Sequence, residues 1–205
     1  MFINIYLYLC RFGSVLADGS EYTGNFGKSK DELSMFHFER LSLLLEDMDN
    51  LPDFVAFETI PCVLEVKAIC DALVRFNFNN KFPDIRVWVS LTCKDAKHLN
   101  GGDLIREALD ELEKCLHVSL GGFNCLSPLH LDEILSTMSF SKKLVVYPNR
   151  GEVFENRAWV PESATPDDQL LSLARKWISN ENIFAIGGCC RIGTTFIRSL
   201  ANISH

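Results

Sequence analysis

The sequence predicts an α/β protein built on a parallel sheet, and three observations carry that prediction. Short, continuously apolar runs alternate along the chain with longer stretches of helical periodicity, the pattern of strands buried on both faces. No repeat, low-complexity tract or Pro/Ser-rich linker interrupts the 205 residues, a length that suits one domain with its own core. The polar and sulfur side chains Glu58, Ser90, Asn124, Cys125, Asn149, Cys189 and Cys190 all close apolar runs, and parallel α/β proteins gather their chemistry at the C-terminal ends of strands.

Residues 1–10 are apolar and β-prone. They lack a positive leader and a small-residue cleavage site and are too short to span a bilayer as a helix, so a buried strand is predicted. Residues 54–57 form the next apolar run, ending in Glu58-Thr59-Ile60-Pro61, and a helix over 63–75 follows with Leu64, Ala68, Ile69 and Ala72 on one face. Residues 87–91 are a strand, 102–115 a helix, 118–125 a strand and 128–138 a helix. Residues 144–147 are a strand closed by Pro148-Asn149, and a loop with Trp159, Pro161 and Pro166 leads to a helix over 166–178. A last strand, 183–186, ends in Gly187-Gly188-Cys189-Cys190, and a helix starts at Thr194. Two architectures fit this alternation, a doubly wound open sheet and a (β/α)8 barrel. No Gly-x-Gly-x-x-Gly or phosphate loop follows a strand, which counts against a nucleotide-binding open sheet.

The net charge of −7 argues against nucleic-acid and anionic-membrane partners, which are bound through clustered Lys and Arg. Eight cysteines in a chain without a secretory signal read as reduced thiols of a cytoplasmic protein rather than as a disulfide framework.

Cys125 closes one strand and Cys189-Cys190 another. Strand ends distant in sequence converge on one rim of a barrel, and three ligands with an open fourth position are the pattern of a catalytic zinc site. The Gly pairs ahead of these cysteines would let the backbone turn tightly. Adjacent cysteines are not the usual zinc knuckle, and buried unliganded thiols explain position and spacing equally well. Cys62, Cys70, Cys93 and Cys115 occupy no ligand position and are assigned to packing. His37 is expected to be a partly exposed helix residue, and Asp18, Glu21 and Tyr22 either a wall of the site or a locally bonded loop.

Leu16-Ala17-Asp18-Gly19-Ser20-Glu21-Tyr22, Phe57-Glu58-Thr59-Ile60-Pro61, Gly122-Phe123-Asn124-Cys125, Val146-Tyr147-Pro148-Asn149-Arg150-Gly151-Glu152 and Gly187-Gly188-Cys189-Cys190-Arg191 resemble, in order, the motifs of the homocysteine S-methyltransferase family. The resemblance runs from about residue 11 onward and implies a (β/α)8 TIM barrel, one domain over residues 1–205, with Zn2+ on Cys125, Cys189 and Cys190. It further implies that Glu58 binds the amino group of homocysteine, that Asn124 lines the same rim beside Asn149, and that the methyl donor is a sulfonium, S-methylmethionine or S-adenosylmethionine. The rival roles are a helix N-terminal carboxylate for Glu58 and turn or cap residues for the two asparagines. In this reaction the nucleophile is a thiolate, which a free thiol with pKa near 8.5 supplies sparingly at neutral pH. The leaving group is a neutral thioether, so no general acid is required and none is assigned.

The chain also departs from the family. An Asp-Gly-Gly motif at the end of the first strand and a Thr-Tyr-Gln-Ala element at the end of the second are absent, and residues 1–10 do not match. The expectation is therefore an incomplete barrel lacking roughly the first two to three strands, either part of a working enzyme, a catalytically inactive zinc-binding fragment, or a chain that completes its barrel by association. An unrelated α/β enzyme with buried thiols is the further alternative, distinguished by the absence of zinc.

Overall fold

The computed structural model describes residues 6–15, 23–45, 51–155, 158–160 and 163–203. Its strands are β1 (Tyr6–Cys10), β2 (Phe54–Ile60), β3 (Arg86–Leu91), β4 (Leu120–Asn124), β5 (Leu144–Tyr147), β6 (Val153–Glu155), β7 (Ala158–Val160) and β8 (Ile183–Ile186). Its helices are α1 (Lys30–Leu45), α2 (Val63–Phe76), α3 (Phe78–Lys81), α4 (Ile105–Lys114), α5 (Pro128–Thr137), α6 (Asp167–Ile178) and α7 (Thr194–Ile203). Six strands form one parallel sheet in the order β1-β2-β3-β4-β5-β8, and β6 and β7 pair antiparallel as a separate ribbon.

The sheet order follows the sequence without reversal, so the doubly wound alternative, which needs a switch point, is excluded among the described strands. The sheet is also strongly curled. The rings of Phe54 on β2 and Phe184 on β8 lie 5.9 Å apart, and the Arg86 guanidinium sits 4.6 Å from the Phe184 ring. These strands are four positions apart in the sheet, roughly 19 Å along a flat one at about 4.8 Å per strand, so the contact is made across a concave face.

Alternation along the strands separates two apolar regions. Val55, Phe57, Val87, Val89, Phe123 and Val146 point outward into the large core beneath the helices. Phe54, Ala56, Trp88, Leu120 and Val145 point inward and form a smaller cluster with Tyr147. The concave face is open at both edge strands, where Tyr8 is 51% and Phe184 44% exposed. Among the described residues, no helix is long and apolar enough to cross a membrane.

Two parts of the sequence reading are corrected. The stretch before β2 contains a full helix, α1, opened by a capping box in which Ser29 and Glu32 exchange hydrogen bonds. His37 lies within this helix and is fully buried, not partly exposed; its Nε2 is 3.1 Å from Glu65 Oε1, which also accepts the Phe12 N–H at 2.6 Å. The residues around Trp159, read as a loop, contain the β6–β7 ribbon. The segment Leu16–Tyr22, including Asp18, Glu21 and Tyr22, lies outside the described residues.

Close strand packing depends on Gly122. A Cβ there would meet Ser90 Oγ and the Val145 carbonyl oxygen, each at 2.6 Å, and the latter is backbone that cannot rotate away. Gly122→Ala is expected to lower unfolding stability by about 1–3 kcal/mol, measured by urea denaturation.

Candidate metal centre

The site is assembled at the C-terminal ends of β4, β5 and β8. The chain leaves β4 through Cys125, which holds a left-handed φ of 57°. That conformation is uncommon outside glycine and reverses the chain direction at this point. The Cys125 N–H donates to the Tyr147 carbonyl at 3.4 Å, and the Thr92 hydroxyl donates to the Cys125 carbonyl at 3.1 Å. On the other side, the Gly187 N–H donates to the Val146 carbonyl and the Cys189 N–H to the Pro148 carbonyl, both at 2.9 Å. The end of β5 is thus a backbone wedge that both cysteine loops grip.

Arg191, also at a left-handed φ of 67°, forks onto Glu152 through Nε at 2.6 Å and Nη2 at 3.3 Å. Glu152 is nearly buried, so this bidentate pair fixes the loop after the cysteines against the loop after β5. The glycine pairs do not make the tight turns expected of them. Cys125 and Arg191 take the left-handed conformations, while Gly121 and Gly122 permit close approach of Phe140 and Ser90.

The sulfur atoms of Cys125, Cys189 and Cys190 lie within 4.8 Å of one another, with Cys125 Sγ to Cys190 Sγ at 3.8 Å and Cys189 Sγ to Cys190 Sγ at 4.0 Å. Zinc–sulfur bonds of about 2.3 Å in a tetrahedron place sulfurs about 3.8 Å apart, so the donor spacing fits a zinc ion with one position left over. Protonation supports the fit. Hydrogen bonds from Cys125 and Cys189 hold the Cys190 thiol down to about 3, a thiolate at neutral pH. The Cys125 thiol is pushed far up by the Cys189 and Cys190 sulfurs and by burial. Each sulfur that ionises disfavours the ionisation of its neighbours, so full ionisation calls for a cation at their centre.

Glu58 stands inward at the end of β2 beside this cluster. Burial raises its carboxyl, opposed by contact with the Tyr147 hydroxyl and by the charge of Arg11. The Tyr147 hydroxyl donates to Ser90 Oγ at 2.8 Å and accepts from Trp88 Nε1 at 3.3 Å. A cavity of about 200 Å³ opens here, lined by Tyr8, Glu58, Trp88, Tyr147, Phe184 and Gly188 among others. Arg11 and Tyr147 had no role in the sequence reading. Arg11 follows β1, and its charge acts on both Glu58 and Cys190. Tyr147 lay inside a quoted motif, but its inward direction depends on the register of β5 with β4.

Asn124 sits differently from the rim position implied for it. Its side chain is buried; Oδ1 accepts the Thr59 N–H at 2.9 Å and Nδ2 donates to Thr59 Oγ1 at 2.8 Å. Thr59 has a left-handed φ of 62° at an irregularity in the β2–β3 register, costly for a β-branched residue, and the Asn124 clamp holds it there. Asn149 is half-buried and its Oδ1 has no hydrogen-bond partner, an acceptor available at the rim.

Fold and site together describe a parallel α/β protein with a three-thiol cluster, spaced as metal ligands would be, at its strand ends. The family model of homocysteine S-methyltransferases matches residues 3–204. Homocysteine S-methyltransferase 1 of Brassica oleracea var. italica is 35% identical over 196 residues, covering 93% of this chain and 57% of the relative. Homocysteine S-methyltransferase YbgG of Bacillus subtilis is 33% identical over 192 residues, covering 93% of this chain and 58% of its own. Among solved structures, the metallated form of the homocysteine methyltransferase MmuM from Escherichia coli superimposes with a TM-score of 0.70 at 27% identity, covering 98% of this chain and 61% of that one. The chain belongs to the homocysteine S-methyltransferase family, and it spans between half and two thirds of the length of these relatives.

Asn124→Ala is expected to leave the Thr59 N–H buried without an acceptor, costing about 1–3 kcal/mol of stability in urea denaturation. Asn124→Asp, which keeps the acceptor, should recover part of that loss.

Proposed function

We propose that the chain forms the zinc- and homocysteine-binding part of a methyltransferase that moves a methyl group from a sulfonium donor, S-methylmethionine or S-adenosylmethionine, to homocysteine, giving methionine. The observation that carries this reading is the convergence of Cys125, Cys189 and Cys190 within 4.8 Å, with Glu58 lining a cavity whose wall includes Gly187 and Gly188, the two residues ahead of Cys189. The six-strand arc, curled and ordered by sequence, is read as wall of a (β/α)8 TIM barrel of which two to three strands are not among those described. Reduced thiols suit a cytoplasmic setting, since the cysteines described are all free.

Cys125, Cys189 and Cys190 would hold the zinc, which when bound acts as a Lewis acid that favours the thiolate form of the homocysteine sulfur. Glu58 faces the same space and pairs with the substrate ammonium, an interaction worth about 1.5–3 kcal/mol when charge-assisted. Tyr147, held by Ser90 and Trp88, sets the Glu58 carboxyl at the cavity wall. Trp88 and Phe184 present apolar surface that keeps water from the methylene groups of the substrate. Asn124 acts through Thr59, fixing the strand ends that carry Glu58 and Cys125 rather than touching the ligand.

The deciding test is metal content. About one zinc per chain is expected in the purified protein, lost in Cys189→Ser and in Cys190→Ser, measured by atomic emission. A folded wild type without zinc would overturn the site, whereas zinc without methyl transfer would make the chain a metal-binding fragment. Glu58→Gln should raise the KM for homocysteine roughly 10- to 150-fold while retaining zinc. The same substitution should stabilise the ligand-free protein at high pH. A buried carboxyl with a raised folded pKa favours the fold while protonated, and that advantage is lost as pH rises through the folded pKa. Melting temperatures of the two proteins should therefore converge below the ordinary carboxyl pKa, separate as pH rises from there to the raised folded pKa, and keep a constant gap above it.

A further inference from the structure

On the outer wall, away from the three-sulfur rim, a second pair of thiols lies between two helices. Cys70 on α2 and Cys115 at the end of α4 lie against each other and line one surface cavity of about 530 Å³ together with Lys67, Glu111, Lys114 and His117. We propose that Cys115 and Cys70 form a thiol-modification site that takes small-molecule disulfides, with Cys115 as the attacking sulfur and Cys70 as the resolving one.

Three features support the assignment. The pair opens onto a cavity large enough for a small peptide disulfide, with Cys70 partly exposed and Cys115 reached through the cavity wall. Lys67 lines the opening together with Lys30 and Lys114, which pair with Asp71 and Glu111 of the same wall, so the rim offers mixed charge to the carboxylates and ammonium groups of such a ligand. The end of α4 is anchored, because Lys142 Nζ donates to the carbonyls of Leu112, Cys115 and Val118, each at 2.7 Å, so Cys115 is held in place with an ammonium group nearby. The two sulfurs are also unequal. Contact with Cys70, followed by the backbone N–H groups of His117 and Val118, holds the Cys115 thiol down to about 6, while contact with Cys115 and burial push Cys70 up. A thiolate facing a thiol is the arrangement for exchange.

The chemistry balances without another reactant. The Cys115 thiolate attacks one sulfur of the disulfide, forming a mixed disulfide and releasing one thiolate. Cys70 then attacks the Cys115 sulfur, giving the Cys70–Cys115 disulfide and releasing the second thiol. The protein dithiol loses two electrons and the added disulfide gains them.

The probe is oxidised glutathione, added to the full chain, followed by iodoacetamide and chymotryptic mapping by mass spectrometry. Chymotrypsin cuts at Phe123 between Cys115 and Cys125 and at Leu64 between Cys62 and Cys70, so a Cys70–Cys115 cross-link is distinguishable from pairings of the other cysteines. The expected product is a dithiothreitol-reversible Cys70–Cys115 cross-link. In Cys70→Ser the reaction should stop with glutathione on Cys115, and in Cys115→Ser, Cys70 should remain open to iodoacetamide. A wild type in which Cys70 and Cys115 both stay alkylatable, or in which oxidation is confined to Cys125, Cys189 and Cys190, would overturn the proposal whatever the variants do.

Discussion

Three ionisable sulfurs within 4.8 Å repel one another as they lose protons, and the rest of the molecule is arranged to hold them together regardless. Two of the three come from one loop and the third from a strand two places away in the sheet. Neither loop could fix this distance alone. The end of β5 lies between them and lends backbone carbonyls to both, so the sulfur spacing is set by strand register rather than by side-chain rotamers. The Arg191–Glu152 fork then closes the loop from outside. A site built on sheet register is more exact than one built on flexible loops, which suits a metal that tolerates only tenths of an ångström in its bonds.

The same sheet serves two chemistries by alternation. Outward residues of each strand make an oily core with the helices, and inward ones make a small aromatic surface interrupted by Glu58, Ser90 and Tyr147. A one-residue slip of β2 would turn Glu58 into the helical core and Phe57 into the cavity. Backbone strain marks the places where this pattern meets the rim, since Thr59, Cys125 and Arg191 all take left-handed conformations. Each is supported by a specific hydrogen bond or by the sulfur cluster, as strained residues at functional sites need to be.

Much of this was legible in the sequence because continuous apolar runs and helical periodicity are local signals. The strands β2 to β5 and β8 and the helices after them fall where those signals put them. A helix was read at His37, but its start at Lys30 and the burial of His37 escaped, because the buried stripe includes Ser34 and His37, which weaken the periodicity, although the Ser29–Glu32 capping box was readable. The β6–β7 ribbon escaped because each strand has only three residues, too few for alternation to show. At the site, residue type and strand-end position pointed to the cysteines and to Glu58. The Asn124–Thr59 clamp and the Tyr147–Ser90–Trp88 chain join residues 57 to 65 positions apart in the sequence, and only the packed sheet reveals them.

The contact of Phe54, Phe184 and Arg86 across the concave face lies near the starts of their strands, whereas the sulfurs lie at the opposite ends. It therefore acts as a floor. The cavity is stopped at that end and stays open along the two edge strands, where Tyr8 and Phe184 are exposed, like a trough with one end blocked. Depth then becomes a ruler. On the proposed function, a short amino acid would lie with its ammonium group toward Glu58 and its sulfur toward the cysteines, and the blocked end would limit how long it can be.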